Sequence, residues 1–117
     1  MNIYNKSSLI NFWLEHADSK RELELWYNDV SEQVWRNPNE VKKSYSDASI
    51  IKNNRVIFNI CRNDYRLIVQ FNYDKGWGFI KFIGTHKEYD RADVATVSQF
   101  LPMKPAKKPK RTGSKNT

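Results

Sequence analysis

The chain has 117 residues and a formal net charge of +7, with four Trp, six Tyr, six Phe and one cysteine. This length predicts one domain with a modest core, and the aromatic content excludes a disordered chain because it supplies apolar area to bury. One cysteine excludes an internal disulfide framework, and no apolar run is long enough for a transmembrane helix. Residues 1–14 lack a secretory pattern, so we expect a cytoplasmic protein with no membrane partner.

The positive charge is concentrated near the C-terminus. Residues 101–117 carry six basic residues and no acidic one, whereas residues 1–100 carry 14 basic and 13 acidic residues. We therefore expect a nearly neutral domain over residues 1–100, followed by a Lys/Pro-rich, flexible tail over residues 101–117. Net positive charge is typical of nucleic-acid-binding proteins, but most of it here comes from the tail.

The N-terminal segment predicts one short strand and one helix. Residues 1–4 alternate between apolar and polar side chains, which is typical of a strand. Ser7 or Ser8 is then expected to cap a helix over residues 9–16, because a serine oxygen can accept an otherwise unpaired backbone amide. Apolar side chains recur there at helical spacing, at Leu9, Phe12 and Trp13.

A second, longer helix is predicted over residues 20–35. Ser19 and Glu22 have the spacing of a capping box, and Pro38 is expected to stop the helix because proline lacks a backbone amide. Its apolar face has residues at helical spacing, namely Leu23, Tyr27, Val30 and Val34. A short third helix is predicted over residues 39–45.

The second half of the chain changes to a period of two, which indicates β-strands. Long strands are predicted over residues 55–61, 65–73 and 77–85, with an edge strand over residues 48–51. The connectors between the long strands are short and rich in turn-forming residues, so we expect antiparallel pairing. A last short helix is predicted over residues 91–100.

The middle long strand has one apolar face. Its apolar row is Tyr65, Leu67, Val69, Phe71 and Tyr73, and the opposite row is Arg66, Ile68, Gln70 and Asn72. An apolar sheet face beside two amphipathic helices predicts the α+β class, with two N-terminal helices packed on a twisted antiparallel β-sheet.

The most unusual segment follows the last long strand, where an apolar run ends in consecutive polar residues. Four of them suit acid–base chemistry at a phosphodiester: His86, Lys87, Tyr89 and Asp90. An imidazole titrates near neutral pH, and a strand end can hold such side chains in fixed, exposed positions. The alternative is a solvated exit from the strand, in which Asp90 caps the last helix.

Basic side chains form the second candidate feature. Arg66 stands among apolar and neutral residues, and its planar guanidinium suits a phosphate; the alternative is a surface ion pair. A broader basic group consists of Arg62, Arg55, Lys52, Lys42 and Lys43. These would bind RNA phosphates with salt-dependent affinity, although scattered lysines also serve solubility alone. Two histidines and one cysteine predict no metal site.

Several motifs together resemble a known family. They are Phe12-Trp13-x-x-His16, Trp26-Tyr27, Arg55-Val56-Ile57-Phe58-Asn59-Ile60, Tyr65-Arg66-Leu67-Ile68-Val69, and the run from Phe79 that ends in Gly84-Thr85-His86-Lys87-Glu88-Tyr89-Asp90. Over about residues 1–93 the chain resembles toxins of bacterial type II toxin–antitoxin systems, in the HigB-like branch of the RelE/ParE superfamily. The basic tail lies outside the resemblance.

The resemblance implies cleavage of messenger RNA in the ribosomal A site, without a metal or other cofactor. In that reaction the RNA 2′-hydroxyl attacks the adjacent phosphate. By position Arg66 would hold the scissile phosphate, and His86 or Lys87 would act as base or acid. Tyr89 and Asp90 would position or complete the pair.

The resemblance also carries one departure. RelE-type members have lysines on the strand before the Tyr-Arg-Leu motif, where this chain has Ile57 and Asn59. A chain without that lysine pair must rely on residues 86–90 for proton transfer.

The implied partners are a cognate helix-turn-helix antitoxin, the ribosome and messenger RNA, with operator DNA reached only through the toxin–antitoxin complex. Two other functions stay open for the same fold. One is a ParE-like inhibitor of gyrase, and the other is a non-catalytic nucleic-acid-binding module.

Overall fold

The computed structural model describes residues 1–99, which form one five-stranded sheet and four α-helices. The strands are β1 (Asn2–Tyr4), β2 (Ser49–Ile51), β3 (Arg55–Ile60), β4 (Tyr65–Asn72) and β5 (Trp77–Thr85). The helices are α1 (Lys6–Glu15), α2 (Lys20–Glu32), α3 (Pro38–Ser44) and α4 (His86–Asp90), with a 3₁₀ turn at Ala17–Ser19. The α+β class is confirmed, and the predicted tail over residues 101–117 lies outside the described residues.

The sheet has the strand order β1-β5-β4-β3-β2 and mixed direction. The pairs β2–β3, β3–β4 and β4–β5 are antiparallel, as their short connectors predict. β1 pairs parallel to β5, with Asn2 opposite Trp77, so the expectation of a wholly antiparallel sheet is wrong at this edge. A periodic pattern identifies a strand but carries no information on the direction of a partner that lies far along the chain.

The main core lies on the face of β4 that the alternation predicts to be apolar. Leu67, Val69 and Phe71 belong to one buried cluster with Leu9 of α1 and Leu23 of α2. Leu9, Leu23, Leu67 and Val69 are fully buried. Packing of this kind offsets the conformational entropy that the ordered chain loses.

The opposite face of the sheet also carries an apolar cluster, centred on Ile57, Ile68 and Phe82. It is covered by residues 91–99, here named the crossing segment, whose Val94 and Val97 pack on that cluster. The expectation of a last helix over residues 91–100 is wrong for the described part, since residues 91–99 contain turns and bends. The crossing segment is hydrogen-bonded to the sheet instead. The backbone amide of Gln99 donates to the carbonyl oxygen of Lys81 at 2.9 Å.

Neither predicted serine cap forms. α1 begins at Lys6, where Asn5 has the left-handed φ of 75° and makes no side-chain cap. The Ser8 hydroxyl donates to the Asn5 carbonyl at 2.6 Å, and the Ser19 hydroxyl donates to the His16 carbonyl at 2.7 Å. Each serine hydroxyl therefore bonds to the carbonyl three residues earlier in the chain. It closes a turn there and does not accept a backbone amide at the start of a helix.

The second helix is shorter than its periodicity predicts. α2 ends at Glu32, Gln33 has extended backbone angles, and Val34 is 80% exposed. Pro38 therefore does not stop α2; it opens α3, with the Asn37 side chain accepting the Glu40 amide at 3.1 Å. Proline suits a first helical position because that amide has no partner inside the helix.

Candidate functional site

The segment after β5 is a short helix with a complete capping box. Thr85 accepts the backbone amide of Glu88 at 3.2 Å, and Glu88 accepts the amide of Thr85 at 2.8 Å. The reciprocal bonds satisfy two backbone donors that the helix start leaves unpaired. Residues 86–90 are thus an exposed, capped helix directly after the strand, and Asp90 is its last residue and does not cap a following helix. The motif Thr-x-x-Glu is visible in the sequence and is the signal for this turn.

Gly84 makes this close turn possible. A Cβ atom at Gly84 would lie 2.6 Å from the Phe82 ring and 2.9 Å from the Glu88 carboxylate. The missing side chain lets the capping carboxylate fold back against the strand. The backbone amide of His86 also donates to the Asp64 carbonyl at 3.1 Å, which ties α4 to the turn between β3 and β4.

An imidazole and a carboxylate meet on the surface of α4. His86 Nδ1 lies 3.2 Å from Asp90 Oδ2, and the two side chains are 54% and 60% exposed. Residues four apart in a helix share one face, so the five-residue helix presents both groups to the same solvent region. A carboxylate at this distance orients the ring and leaves its other nitrogen free for proton transfer.

Arg66 is a cation at the end of the sheet from which α4 begins. It lies on β4 opposite Gly84 of β5, and its guanidinium carbon is 5.5 Å from the centre of the Tyr89 ring. One guanidinium nitrogen, Nη1, donates to the Asn63 carbonyl at 2.7 Å. The fold therefore brings Arg66, His86, Tyr89 and Asp90 to one end of the sheet, and we name this group the α4 site.

Two further predicted residues lie beside the α4 site. Lys87 is an exposed residue of α4, directly after His86 in the chain. Arg62 is exposed in the turn between β3 and β4, one residue before the Asn63 carbonyl that binds Arg66. Both can offer positive charge to a phosphate near the α4 site.

The other predicted basic residues are spread over different elements. Lys52 is exposed in the turn between β2 and β3, and Lys43 is exposed on α3. The Lys42 ammonium donates to the carbonyls of Ser46 and Ala48, both at 2.7 Å, and so holds the chain after α3.

Arg55 is not part of any basic surface, contrary to its predicted place among the RNA-binding residues. It is 5% exposed, and its guanidinium donates to the carbonyls of Val94 at 3.1 Å and Val97 at 2.7 Å. Burial lowers the pKa of the Arg55 guanidinium, and the nearby Asp93 carboxylate acts in the opposite direction. Its contacts anchor the crossing segment, a role that no local pattern around Arg55 indicates.

Two further findings concern metal sites and membrane-spanning helices. Among residues 1–99, no three His, Cys, Asp or Glu side chains are grouped as a metal site would require. Over the same residues, no helix is long and apolar enough to cross a membrane.

Comparison with known proteins gives one family. A family model described as HigB_toxin, RelE-like toxic component of a toxin-antitoxin system, matches residues 19–92. The match includes β2 to β5 and the whole of α4, and therefore every residue of the α4 site. No curated protein matches the chain.

Proposed function

The chain belongs to the HigB-toxin family of RelE-like toxins, and we propose that it inhibits translation by cutting messenger RNA on the ribosome. The observation that supports this most directly is the α4 site, where an exposed imidazole–carboxylate pair and a guanidinium beside a phenol lie at the same end of the sheet. A toxin that only blocked a protein partner would not need this set of groups together.

The proposed reaction is attack of the RNA 2′-hydroxyl on the adjacent phosphorus, which needs a base, a cation and an acid. The His86–Asp90 pair suits the base, because the carboxylate lies 3.2 Å from Nδ1 and orients the ring so that its other nitrogen can take the 2′-proton. The departing 5′-oxygen then receives a proton from Lys87 or Tyr89, which lie on the same helix.

Arg66 is proposed to hold the scissile phosphate. Of its guanidinium nitrogens only Nη1 is bonded within residues 1–99, so other N–H groups can face a phosphate oxygen. Guanidinium binds phosphate through parallel hydrogen bonds, and its charge stabilises the transition state as negative charge grows on the oxygens. The Tyr89 ring lies beside the guanidinium and limits its motion.

The family implies an antitoxin partner. We propose that this antitoxin is a helix-turn-helix protein and that operator DNA is bound only by the complex. The ribosome and its messenger RNA are the proposed targets, and the cytoplasm is the proposed place of action.

The test is expression in bacteria with mapping of messenger RNA ends and measurement of growth. The variants are Arg66→Ala and His86→Ala, with Arg21→Ala on the exposed surface of α2 as a matched control. We expect codon-spaced cleavage with the unmodified chain and with the control, and its loss in both site variants.

Other outcomes would contradict the proposal. Growth arrest with intact messages and a DNA-damage response would favour the gyrase inhibitor. A folded chain without toxicity would favour the non-catalytic module. Circular dichroism of each purified variant separates loss of activity from loss of structure.

A further inference from the structure

A polar cleft lies at the opposite end of β4 from the α4 site. Its volume is about 690 Å³. The residues that carry the argument are Arg36, Asn54, Gln70, Tyr73, Asp74 and Lys81. Here it is named the Lys81 cleft. Arg36 is paired with Glu40 at 3.5 Å, and Asp74 is the one carboxylate in the lining.

Lys81 is a half-buried cation without an ionic partner among residues 1–99. The remaining residues, 100–117, contain no Asp or Glu that could supply a side-chain carboxylate. Burial and the nearby Arg55 charge both lower the pKa of the Lys81 ammonium, because each disfavours its charged form. A bound anion would compensate both effects, since it pairs the ammonium and reduces the local positive potential.

The same cleft is lined by polar side chains that form no hydrogen bond within residues 1–99. The Tyr73 hydroxyl is buried without a hydrogen-bond partner among the described residues, and burial raises the pKa of Tyr73 to about 12. It therefore stays protonated at neutral pH and can donate. The side-chain amides of Gln70 and Asn54 also form no hydrogen bond within residues 1–99. Carboxamides are the side chains that pair with base edges in two directions.

We infer that the Lys81 cleft binds a nucleotide of an RNA strand, with Lys81 on the phosphate and the Gln70 and Asn54 amides on the base. This inference rests on the proposed function, which brings RNA to the chain, and it adds a second contact on the same strand. Lys81 precedes His86 by five residues, a span of at most about 17 Å in an extended strand. The two positions are therefore a few nucleotides apart.

The experiment is an NMR titration of the full-length Arg66→Ala chain with a trinucleotide whose 2′-hydroxyls are methylated, so that it cannot be cleaved. The substitution Lys81→Gln removes the proposed phosphate contact. Lys75→Gln makes the same charge change at an exposed turn outside the cleft. We expect Lys81→Gln to weaken binding about tenfold and to reduce the salt dependence by about one ion, with Lys75→Gln unchanged.

The side-chain amide signals of Gln70 and Asn54 report the place of binding, and we expect both to shift on addition of the trinucleotide. If Lys81→Gln does not fold, Gln70→Ala tests the same cleft and should also weaken binding. Equal affinity of the Lys81→Gln and Lys75→Gln variants would overturn the inference. Adenosine monophosphate that binds as tightly as the trinucleotide would assign the cleft to a free nucleotide and overturn the RNA strand.

The NMR titration tests the Lys81 cleft and the cleavage assay tests the proposed function, so either one can be contradicted without the other. Loss of binding in Lys81→Gln supports the cleft even if Arg66→Ala still cleaves messages in cells, a result that would count only against the proposed function. If the trinucleotide leaves the Gln70 and Asn54 signals unmoved, the inference about the Lys81 cleft is overturned. Cleavage of messages that depends on Arg66 would still support the proposed function.

Discussion

Arg55→Met should loosen the crossing segment from the sheet. The Arg55 guanidinium is the group on β3 that bonds to the carbonyls of Val94 and Val97, and these residues cover the cluster of Ile57, Ile68 and Phe82. Methionine keeps much of the buried length of the side chain but has no donor for either carbonyl. The change therefore removes the two bonds with little loss of packing.

The magnitude follows from the two bonds and from one opposing effect. A hydrogen bond from a charged donor contributes about 1.5–3 kcal/mol, so the pair contributes about 3–6 kcal/mol. Arg55 Nε is buried without a partner, and its removal returns about 1–3 kcal/mol of desolvation cost. We expect the free energy of unfolding to fall by about 2–3 kcal/mol, a large share of the roughly 5–15 kcal/mol typical of a domain.

The assay is urea unfolding followed by tryptophan fluorescence, with hydrogen exchange at the amides of residues 92–97. Lys52→Met is the matched control, because Lys52 is an exposed cation of the adjoining turn and should change stability by less than about 0.5 kcal/mol. Equal unfolding free energies for the two variants would refute the anchoring role. A stable Arg55→Met protein that lost RNA affinity would instead return Arg55 to the RNA-binding group.

Three further predictions concern the turn into α4 and a buried phenol. Thr85→Ala removes the oxygen that caps α4, so unfolding should become easier by about 1 kcal/mol in a denaturant titration, whereas Thr85→Ser should keep the cap. Gly84→Ala places a methyl 2.6 Å from the Phe82 ring and should cost about 1–3 kcal/mol; an unchanged free energy of unfolding would contradict this. The Tyr65 hydroxyl donates to Asp18 at 2.7 Å, and this bond, with burial, raises the pKa of Tyr65 to about 12 from 10.0. Since the pKa of Tyr65 is higher in the folded state than in the unfolded state, this stabilisation is complete below pH 10 and is lost as the pH rises from 10 to 12. Tyr65→Phe should flatten this part of the pH–stability curve, and an unchanged slope would contradict the role of the Tyr65–Asp18 bond.

Local patterns predicted most of the sheet. β3, β4 and β5 lie within one residue of the predicted bounds, because alternation and short polar turns are properties of contiguous sequence. The helix starts were harder to predict. Ser8 and Ser19 have the right residue type for a cap, but each hydroxyl donates to a backbone carbonyl. Whether the hydroxyl bonds to that carbonyl or to a backbone amide depends on the three-dimensional turn.

The candidate site was predicted in part. His86 and Asp90 are four residues apart, so their meeting needs only a helix, and the Thr85–Glu88 spacing indicates that helix. The position of Arg66 beside Tyr89 needs the register of β4 and β5, which places Arg66 opposite Gly84. The catalytic roles of these residues remain predictions.

The uneven charge of the chain shows what sequence alone determines and what it leaves to the fold. The sequence determines that residues 1–99 are almost neutral, that β3 to β5 are strands, and that the chain belongs to a toxin family. It does not distinguish Arg55 from Lys81. Arg55 meets carbonyls 39 and 42 residues further along the chain and becomes an internal anchor, whereas Lys81 is left half-buried beside an open cleft. Whether a cation is solvated, paired or buried depends on segments that only the tertiary structure brings to it.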